Sequence, residues 1–284
     1  MYTAETIIAL QAGAYRLREP IATSSYGQVW RAEGPAALGT VALKLVNRAQ
    51  MARAGDSQRA RWADCARVEG KLLAALQPWD QRHIVRLLDH GTHEQLPVLA
   101  LELLDGDLRA VRSPSIPRIL EWIGQANQAL CRLHQHGWRH LDLKPGNLLL
   151  DRDGNLKLCD FGTVRELADT AAHQFTGTPG WQAPEQAIPN AQGLYDTDAR
   201  TDYFALGLLF FHLVTGANAT SLTSAEARQF CERFDESARP PALALLRSLL
   251  APQRAQRPRH ALDISRALAR IQAALPRHQL RSAA

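Results

Sequence analysis

The chain has 284 residues, of which 46% are hydrophobic and 21% charged, and its formal net charge is +5. This composition excludes a disordered chain, and the length suits one large domain or two closely associated lobes. The 33 basic residues are nearly all arginines, and the lysines are Lys44, Lys71, Lys144 and Lys157.

The cysteines and the amino-terminal segment predict a reducing compartment. Four widely spaced cysteines form no C-x-x-C pair, which favours free thiols over disulfides or a zinc site. The first residues carry Glu5 and lack a basic start followed by a long apolar stretch, so they do not predict a secretory signal. No apolar run is long enough to span a bilayer. We therefore expect a cytoplasmic protein without a transmembrane segment, and its oligomeric state stays open.

The first third of the chain predicts strands and one main helix. Short runs of β-type residues are separated by Gly and Ser clusters, and one stretch has apolar residues at helical spacing. The predicted strands are Tyr15–Ala22, Gly27–Ala32, Val41–Val46, Ile84–Leu88 and Pro97–Leu103, and the predicted helix is Ser57–Leu76.

Beyond Asp107 the pattern becomes helical, apart from a turn-rich stretch over His140–Glu185. The predicted helices are Ile116–His136, Ala199–Thr215, Ser224–Phe234, Pro241–Leu250 and Ala261–Leu275. A β-rich part followed by a helical part predicts an α+β fold with two lobes and a cleft between them. We place the first lobe at residues 1–103 and the second at residues 104–275, within a single domain.

The carboxyl end of the chain is basic. From Pro252 to Ala284 there are seven arginines, and Asp263 is the sole acidic residue. We interpret this mainly as the solvated face of a helix whose apolar face packs on the core through Leu262, Ile264, Leu268, Ile271 and Leu275. The alternative is that this helix and the tail over residues 276–284 bind an acidic partner or an anionic surface.

The turn-rich stretch contains the residues with catalytic chemistry. His140-Leu141-Asp142, Lys144 and Asn147 precede a hairpin turn, and Asp160-Phe161-Gly162 follows it. Antiparallel strands return the chain to its start, so we expect the hairpin to bring Asn147 close to Asp160. Their amide and carboxylate oxygens suit a hard cation such as Mg²⁺. The carboxylate of Asp142 can accept or orient the proton of an attacking hydroxyl.

These motifs resemble those of the eukaryotic-type (Hanks-type) serine/threonine protein kinase family. Further matches flank them in family order: Val41-Ala42-Leu43-Lys44, Glu69, Gly177-Thr178-Pro179, Ala183-Pro184-Glu185, Asp202 with Gly207, and Arg257-Pro258. The resemblance covers nearly the whole chain and implies a two-lobe kinase-like fold with an antiparallel β amino-terminal lobe. It implies transfer of the ATP γ-phosphate, with Mg²⁺ or Mn²⁺, to a serine or threonine of a protein substrate.

The resemblance assigns nucleotide and metal binding to matched positions. Lys44, ion-paired with Glu69, would hold the α- and β-phosphates, and Asn147 and Asp160 would hold the metal. The positions expected to contact the nucleotide are Ile21, Ala22, Ser24, Gly27, Val29, Ala42, Lys44, Glu102, Leu104, Leu149 and Asp160.

The resemblance also assigns the transfer chemistry. Asp142 would orient the acceptor hydroxyl, and Lys144 would neutralise the charge that develops on the transferred group. Thr178 matches the threonine that buttresses this aspartate and lysine in serine/threonine kinases, which favours a serine or threonine acceptor.

The chain departs from the family pattern at two places. Of the three glycines in the loop over the phosphates only Gly27 is present, and Ser24 stands at the loop tip. Two interpretations stay open: weaker binding of the nucleotide, and phosphorylation at Ser24 or Ser25 that repels ATP.

Leu141 replaces the arginine that pairs with a phosphorylated activation-segment residue, so we expect activity without that switch. The alternative to an enzyme is a pseudokinase scaffold that binds nucleotide or partners without phosphoryl transfer.

Overall fold

The chain divides into two compact units in a computed structural model that describes residues 2–23, 27–53, 55–173 and 176–276. The first unit comprises the residues up to Asp105 together with Cys159–Gly162. The second comprises Gly106–Leu158 and the residues from Thr163 onward. Among the described residues, no helix has both the length and the apolar character to cross a membrane, and a cytoplasmic location stays a prediction.

The first unit is built on an antiparallel sheet of six strands in its described part, in the order β1-β2-β3-β4-β6-β5. The strands are β1 (Ile7–Ala9), β2 (Ala14–Thr23), β3 (Gly27–Glu33), β4 (Thr40–Val46), β5 (Leu87–His93) and β6 (Leu96–Glu102). The helices are α1 (Arg48–Arg53) and α2 (Asp56–Ala75), followed by a 3₁₀ turn at Asp80–His83.

The two faces of this sheet differ because side chains alternate along each strand. On one face Val41, Leu43 and Leu45 of β4 are buried with residues of neighbouring strands, including Tyr15 and Trp30. Lys44 points to the opposite face, toward which α2 contributes Glu69. The alternation of β4 therefore places Lys44 on the face opposite this apolar cluster.

The second unit is mostly helical. Its helices are α3 (Ile116–Gln135), α4 (Pro184–Ala187), α5 (Ala199–Thr215), α6 (Ser224–Cys231), α7 (Arg239–Leu249) and α8 (Ala261–Ala274). Its strands are β7 (Gly106–Asp107), β8 (Trp138–Arg139), β9 (Leu148–Leu150), β10 (Leu156–Leu158) and β11 (Arg165–Glu166), which form a β10-β9-β7 sheet and a β11-β8 pair. Helix α5 is buried on nearly all sides, as its apolar sequence requires, and packs against α3 and α7.

The antiparallel sheet and the helical second unit confirm the predicted α+β class. Two details of the prediction were wrong. The strand predicted at Ile84–Leu88 lies instead at Leu87–His93, because the buried Ile84 and Val85 follow a 3₁₀ turn rather than joining the sheet. Leu262 was placed on the core face of α8, but it is 56% exposed. The tail over residues 277–284 lies outside the described residues.

Candidate active site

The sheet face that carries Lys44 collects several of the residues predicted to bind nucleotide. Ala22 pairs with Val29 across β2 and β3, and Val29 pairs with Lys44 across β3 and β4. Ala42 lies two residues before Lys44 and therefore shares its face. Gly27 begins β3, at the end of this same face.

The other predicted nucleotide contacts are more scattered. Ile21 is 48% exposed in β2. Glu102 ends β6, where its Oε1 accepts the N–H of Arg86 at 2.8 Å, and Leu104 follows outside the strands. Leu149 lies in β9 of the second unit, and Ser24 and Ser25 lie outside the described residues.

Lys44 is the centre of an ion-pair cluster in the first unit. Its Nζ lies 2.8 and 2.7 Å from the two carboxylate oxygens of Glu69 and 2.7 Å from Oδ1 of Asp160. The N–H of Phe161 donates to Oε1 of Glu69 at 3.2 Å. The two carboxylates fix the ammonium in place, and the lysine–glutamate pair predicted from the sequence is present.

Burial and charge act in opposite directions on this cluster. Burial lowers the pKa of the Lys44 ammonium, but the carboxylates of Asp160 and Glu69 outweigh burial and hold the pKa above its ordinary value. Burial raises the pKa of the Glu69 carboxyl, and the Lys44 ammonium opposes that shift. Lys44 therefore stays a permanent cation.

A second cluster surrounds the buried carboxylate of Asp142 in the second unit. Its Oδ1 accepts the hydroxyl of Thr178 at 2.7 Å, and its Oδ2 accepts the ammonium of Lys144 at 2.8 Å. Lys144 also donates to the hydroxyl oxygen of Thr178 at 2.6 Å. Asn147 donates its amide to the backbone oxygen of Asp142 at 2.8 Å and to Oδ2 at 3.0 Å. These contacts fix the rotamer of the carboxylate.

The loop that carries Asp142 is anchored by Asp202, a contact that the sequence motifs did not predict. Oδ2 of Asp202 accepts the N–H of His140 at 2.9 Å, and Oδ1 accepts that of Leu141 at 2.8 Å. Leu141 has a positive φ of 67°, a strained conformation for a branched residue that these bonds stabilise. Nε2 of His134 lies 2.8 Å from the same Oδ2.

The pKa of Asp202 links this anchor to pH. Burial alone raises the pKa of its carboxyl, but the hydrogen bond and charge of His134, the charge of His140 and the N–H of Leu141 outweigh burial and lower it. A carboxyl whose pKa is lowered by folding stabilises the protein above its unfolded pKa, and that stability is lost as the pH falls through the folded pKa.

We therefore expect Asp202→Asn to lower the Tm most at neutral pH, with the Tm difference from wild type shrinking below about pH 4. Circular dichroism melts between neutral and acid pH measure this difference. The control is Asp196→Asn, since the side chain of Asp196 is 59% exposed. A Tm difference for Asp202→Asn that is the same at every pH contradicts the assignment.

The segment after Asp160 ends at a buried ion pair. Nη1 and Nη2 of Arg257 donate to the two carboxylate oxygens of Glu185, at 2.7 and 2.8 Å. The hydroxyl of Thr201 donates to the same carboxylate at 2.9 Å. The Arg257 side chain is fully buried, and it also donates to three backbone carbonyl oxygens and stacks on Phe204. The pair predicted from the sequence is therefore present and closes the segment.

The donor types of two residues fit a hard cation. The two bonds donated by the Asn147 amide nitrogen assign its carbonyl oxygen, which accepts no hydrogen bond from the described residues. The carboxylate of Asp160 is 45% exposed. In the described chain no three His, Cys, Asp or Glu side chains could share a metal ion. Amide and carboxylate oxygens are ligand types that Mg²⁺ accepts, and this ion completes its shell with phosphate oxygens and water.

Comparison with known families decides the identity of this fold. The pattern of the protein kinase domain matches residues 15–268. The chain belongs to the protein kinase family. Members of this family generally use ATP and a divalent metal ion. The kinase match covers both units, including the Lys44 and Asp142 clusters.

Related kinases come from several bacteria. Serine/threonine-protein kinase PknL of Mycobacterium tuberculosis is 30% identical over 216 residues, which cover 73% of this chain and 51% of PknL. PkaA of Streptomyces coelicolor is 34% identical over 225 residues, 71% of this chain and 39% of PkaA. PknB of Mycolicibacterium smegmatis is 35% identical over 147 residues, 47% of this chain and 23% of PknB. This kinase-family chain thus spans about half or less of each relative's length, and these relatives place it in the Hanks-type serine/threonine group.

Proposed function

We propose that this chain is an active serine/threonine protein kinase that transfers the ATP γ-phosphate to a protein hydroxyl. The observation that carries the proposal is the fully oriented carboxylate of Asp142, held by Thr178, Lys144 and Asn147. A scaffold that does not transfer phosphate has no need for a lysine that contacts both the carboxylate and the threonine hydroxyl.

Lys44 is assigned to the α- and β-phosphates. Its ammonium is a compact permanent cation, and Glu69 and Asp160 hold it in one position. Asp160 and Asn147 would hold Mg²⁺, or Mn²⁺, which neutralises phosphate charge when bound. Because phosphoryl transfer depends on positioning and charge rather than on covalent help, these residues supply what the nucleotide side of the reaction needs.

Asp142 is assigned to the acceptor hydroxyl. In the reaction the hydroxyl oxygen bonds to the γ-phosphorus, the bond from that phosphorus to the β–γ bridging oxygen breaks, and ADP leaves. The hydroxyl proton passes to the carboxylate of Asp142. Lys144, 2.8 Å from this carboxylate, offers positive charge to the transferred group. Thr178 fixes both side chains.

The acceptor assignment is tested with γ-labelled ATP, Mg²⁺ and a generic basic protein, followed by identification of the labelled amino acids. We expect label on serine and threonine and none on tyrosine. Label on tyrosine contradicts the assigned acceptor. Nucleotide binding without any label contradicts transfer and favours the scaffold.

Leu141 supports activity without a phosphate on the activation segment. Its side chain is buried and apolar, so it offers no charge to a phosphate. We expect that treatment with a phosphatase leaves kcat within about twofold of the untreated value, because no charge pair is lost. Turnover before and after treatment, with removal of phosphate checked by mass spectrometry, measures this. A fall of activity to background contradicts the expectation.

A further inference from the structure

Two arginines face each other across the short ladder between β8 and β11. Arg139 and Arg165 are register partners, and Arg139 is 1% exposed. The Nε–H group of each is buried and has no hydrogen-bond partner among the described residues. Like charges opposite each other in a ladder destabilise it, and burial increases the cost.

Asp169 supplies a negative charge to this pair. Its Oδ2 forms an ion pair with Nη2 of Arg165, and its backbone oxygen accepts Nη2 of Arg139 at 2.8 Å. Its Oδ1 accepts the N–H of Ala171 at 3.1 Å, which fixes the side chain. One residue of the segment thus bonds to both guanidinium groups.

The charge on Arg139 is weakly compensated. Burial and the charge of Arg165 lower the pKa of its guanidinium, and Asp169, Asp202 and Asp198 oppose that shift. In the described part of the chain neither Asp202 nor Asp198 forms an ion pair with Arg139. Asp169 is therefore the acidic residue that directly contacts the arginine pair.

The arginine pair connects the segment that carries Asp169 to the catalytic loop. Arg139 immediately precedes His140, Leu141 and Asp142, while Arg165 and Asp169 lie in the segment that follows Asp160. A second bond ties the same elements, since the N–H of Leu167 donates to the carbonyl of Gly137 at 2.7 Å. Movement of this segment would therefore displace the strand that leads into Asp142.

We propose that Asp169 is a positioning residue whose fixed negative charge holds the segment on β8 and thereby orients Asp142. This inference rests on the proposed kinase activity. Asp169 replaces, with a permanent carboxylate, the phosphate that would otherwise neutralise basic residues at the segment. The charges that stabilise the segment are then supplied by Arg139, Arg165 and Asp169, so the apolar Leu141 is tolerated.

The test compares the turnover of four variants of the full chain. Three are single variants, Asp169→Asn, Asp169→Glu and Arg165→Met, and the fourth is a double variant that combines Asp169→Asn with Arg165→Met. We expect Asp169→Asn to lower kcat about tenfold, with the KM for ATP within about twofold, because it removes the anion that pairs with Arg165 and offsets the charge of the buried Arg139. Asp169→Glu keeps the charge and most of the activity. The double variant removes one cation together with the anion, so its kcat recovers to within about threefold of wild type.

Asp64→Asn is the matched control, because Asp64 pairs with Arg67 on an exposed helix face and should not affect kcat. An unchanged kcat in Asp169→Asn overturns the proposal. If that variant fails to fold by circular dichroism, the double variant decides: a folded, active double variant supports the charge balance, and an unfolded or equally inactive one overturns it. If wild type itself transfers no phosphate, the proposed kinase function is overturned together with the role of Asp169. If wild type is active and Asp169→Asn is equally active, only the role of Asp169 is overturned.

Discussion

Replacing Lys44 with arginine or methionine is expected to lower kcat by about 10²–10³-fold, the loss typical of removing one preorganised charged donor. Methionine leaves the carboxylates of Glu69 and Asp160 without the ammonium that lies 2.7 Å from each. Arginine keeps the charge, but its planar fork does not fit a position where a compact ammonium contacts two carboxylates. Steady-state transfer of γ-phosphate measures both losses.

The matched control is Lys71→Arg, because Lys71 lies on the exposed side of α2, two residues from Glu69. We expect its kcat to equal that of wild type. An arginine at position 44 that retains wild-type turnover would contradict the assignment of Lys44 to the phosphates.

Replacing Arg257 with alanine is expected to lower the free energy of unfolding by about 3–5 kcal/mol, because it leaves the carboxylate of Glu185, which is only 13% exposed, without its cation. That loss is a large fraction of the stability of a typical domain. Arg257→Lys should recover only part of it, since an ammonium has three donors and the guanidinium of Arg257 uses five contacts. Urea unfolding at equilibrium measures both variants.

Arg254→Ala is the control for Arg257. Its ion pair with Asp196 is partly exposed, so we expect a loss below about 1 kcal/mol. Similar losses for the Arg254 and Arg257 variants would contradict the importance assigned to the buried Glu185–Arg257 pair.

Helix α5 is the element whose bounds the sequence predicted best, and its sequence is apolar on nearly all sides. Helix α5 was predicted at Ala199–Thr215 and occurs there, because Asp198 caps its start and Gly216 ends it with a φ of 74°. The turn between β5 and β6 was missed because Glu94 and Gln95 adopt positive φ values of 47° and 67° without the Asn or Gly that predicts such a turn. Without a turn signal at these two residues, the strand was predicted too early in the chain, at Ile84–Leu88.

Some site residues could be identified from the sequence, and others are recognised only from their contacts in the structure. Lys44, Asp142 and Lys144 were found because they stand in short motifs, and the rarity of lysine in this arginine-rich chain marked Lys44 and Lys144 further. Asp202 was matched to the start of a helix, but its bonds to the N–H groups of His140 and Leu141 join residues about 60 positions apart. Arg139 and Asp169 belong to no motif; the pairing of β8 with β11 places Arg139 beside Arg165, and Arg139 then donates to the backbone oxygen of Asp169.

Transfer of labelled γ-phosphate by wild type and by Asp142→Asn, measured side by side with nucleotide affinity, tests the central claim most directly. We predict that the variant loses transfer by about 10²–10⁴-fold, the usual contribution of a positioned acid–base group. Nucleotide affinity should be retained, because Lys44, Glu69 and Asp160 are unchanged. Equal transfer by the two proteins, or none by either, would contradict the assignment of this chain as a kinase that uses Asp142.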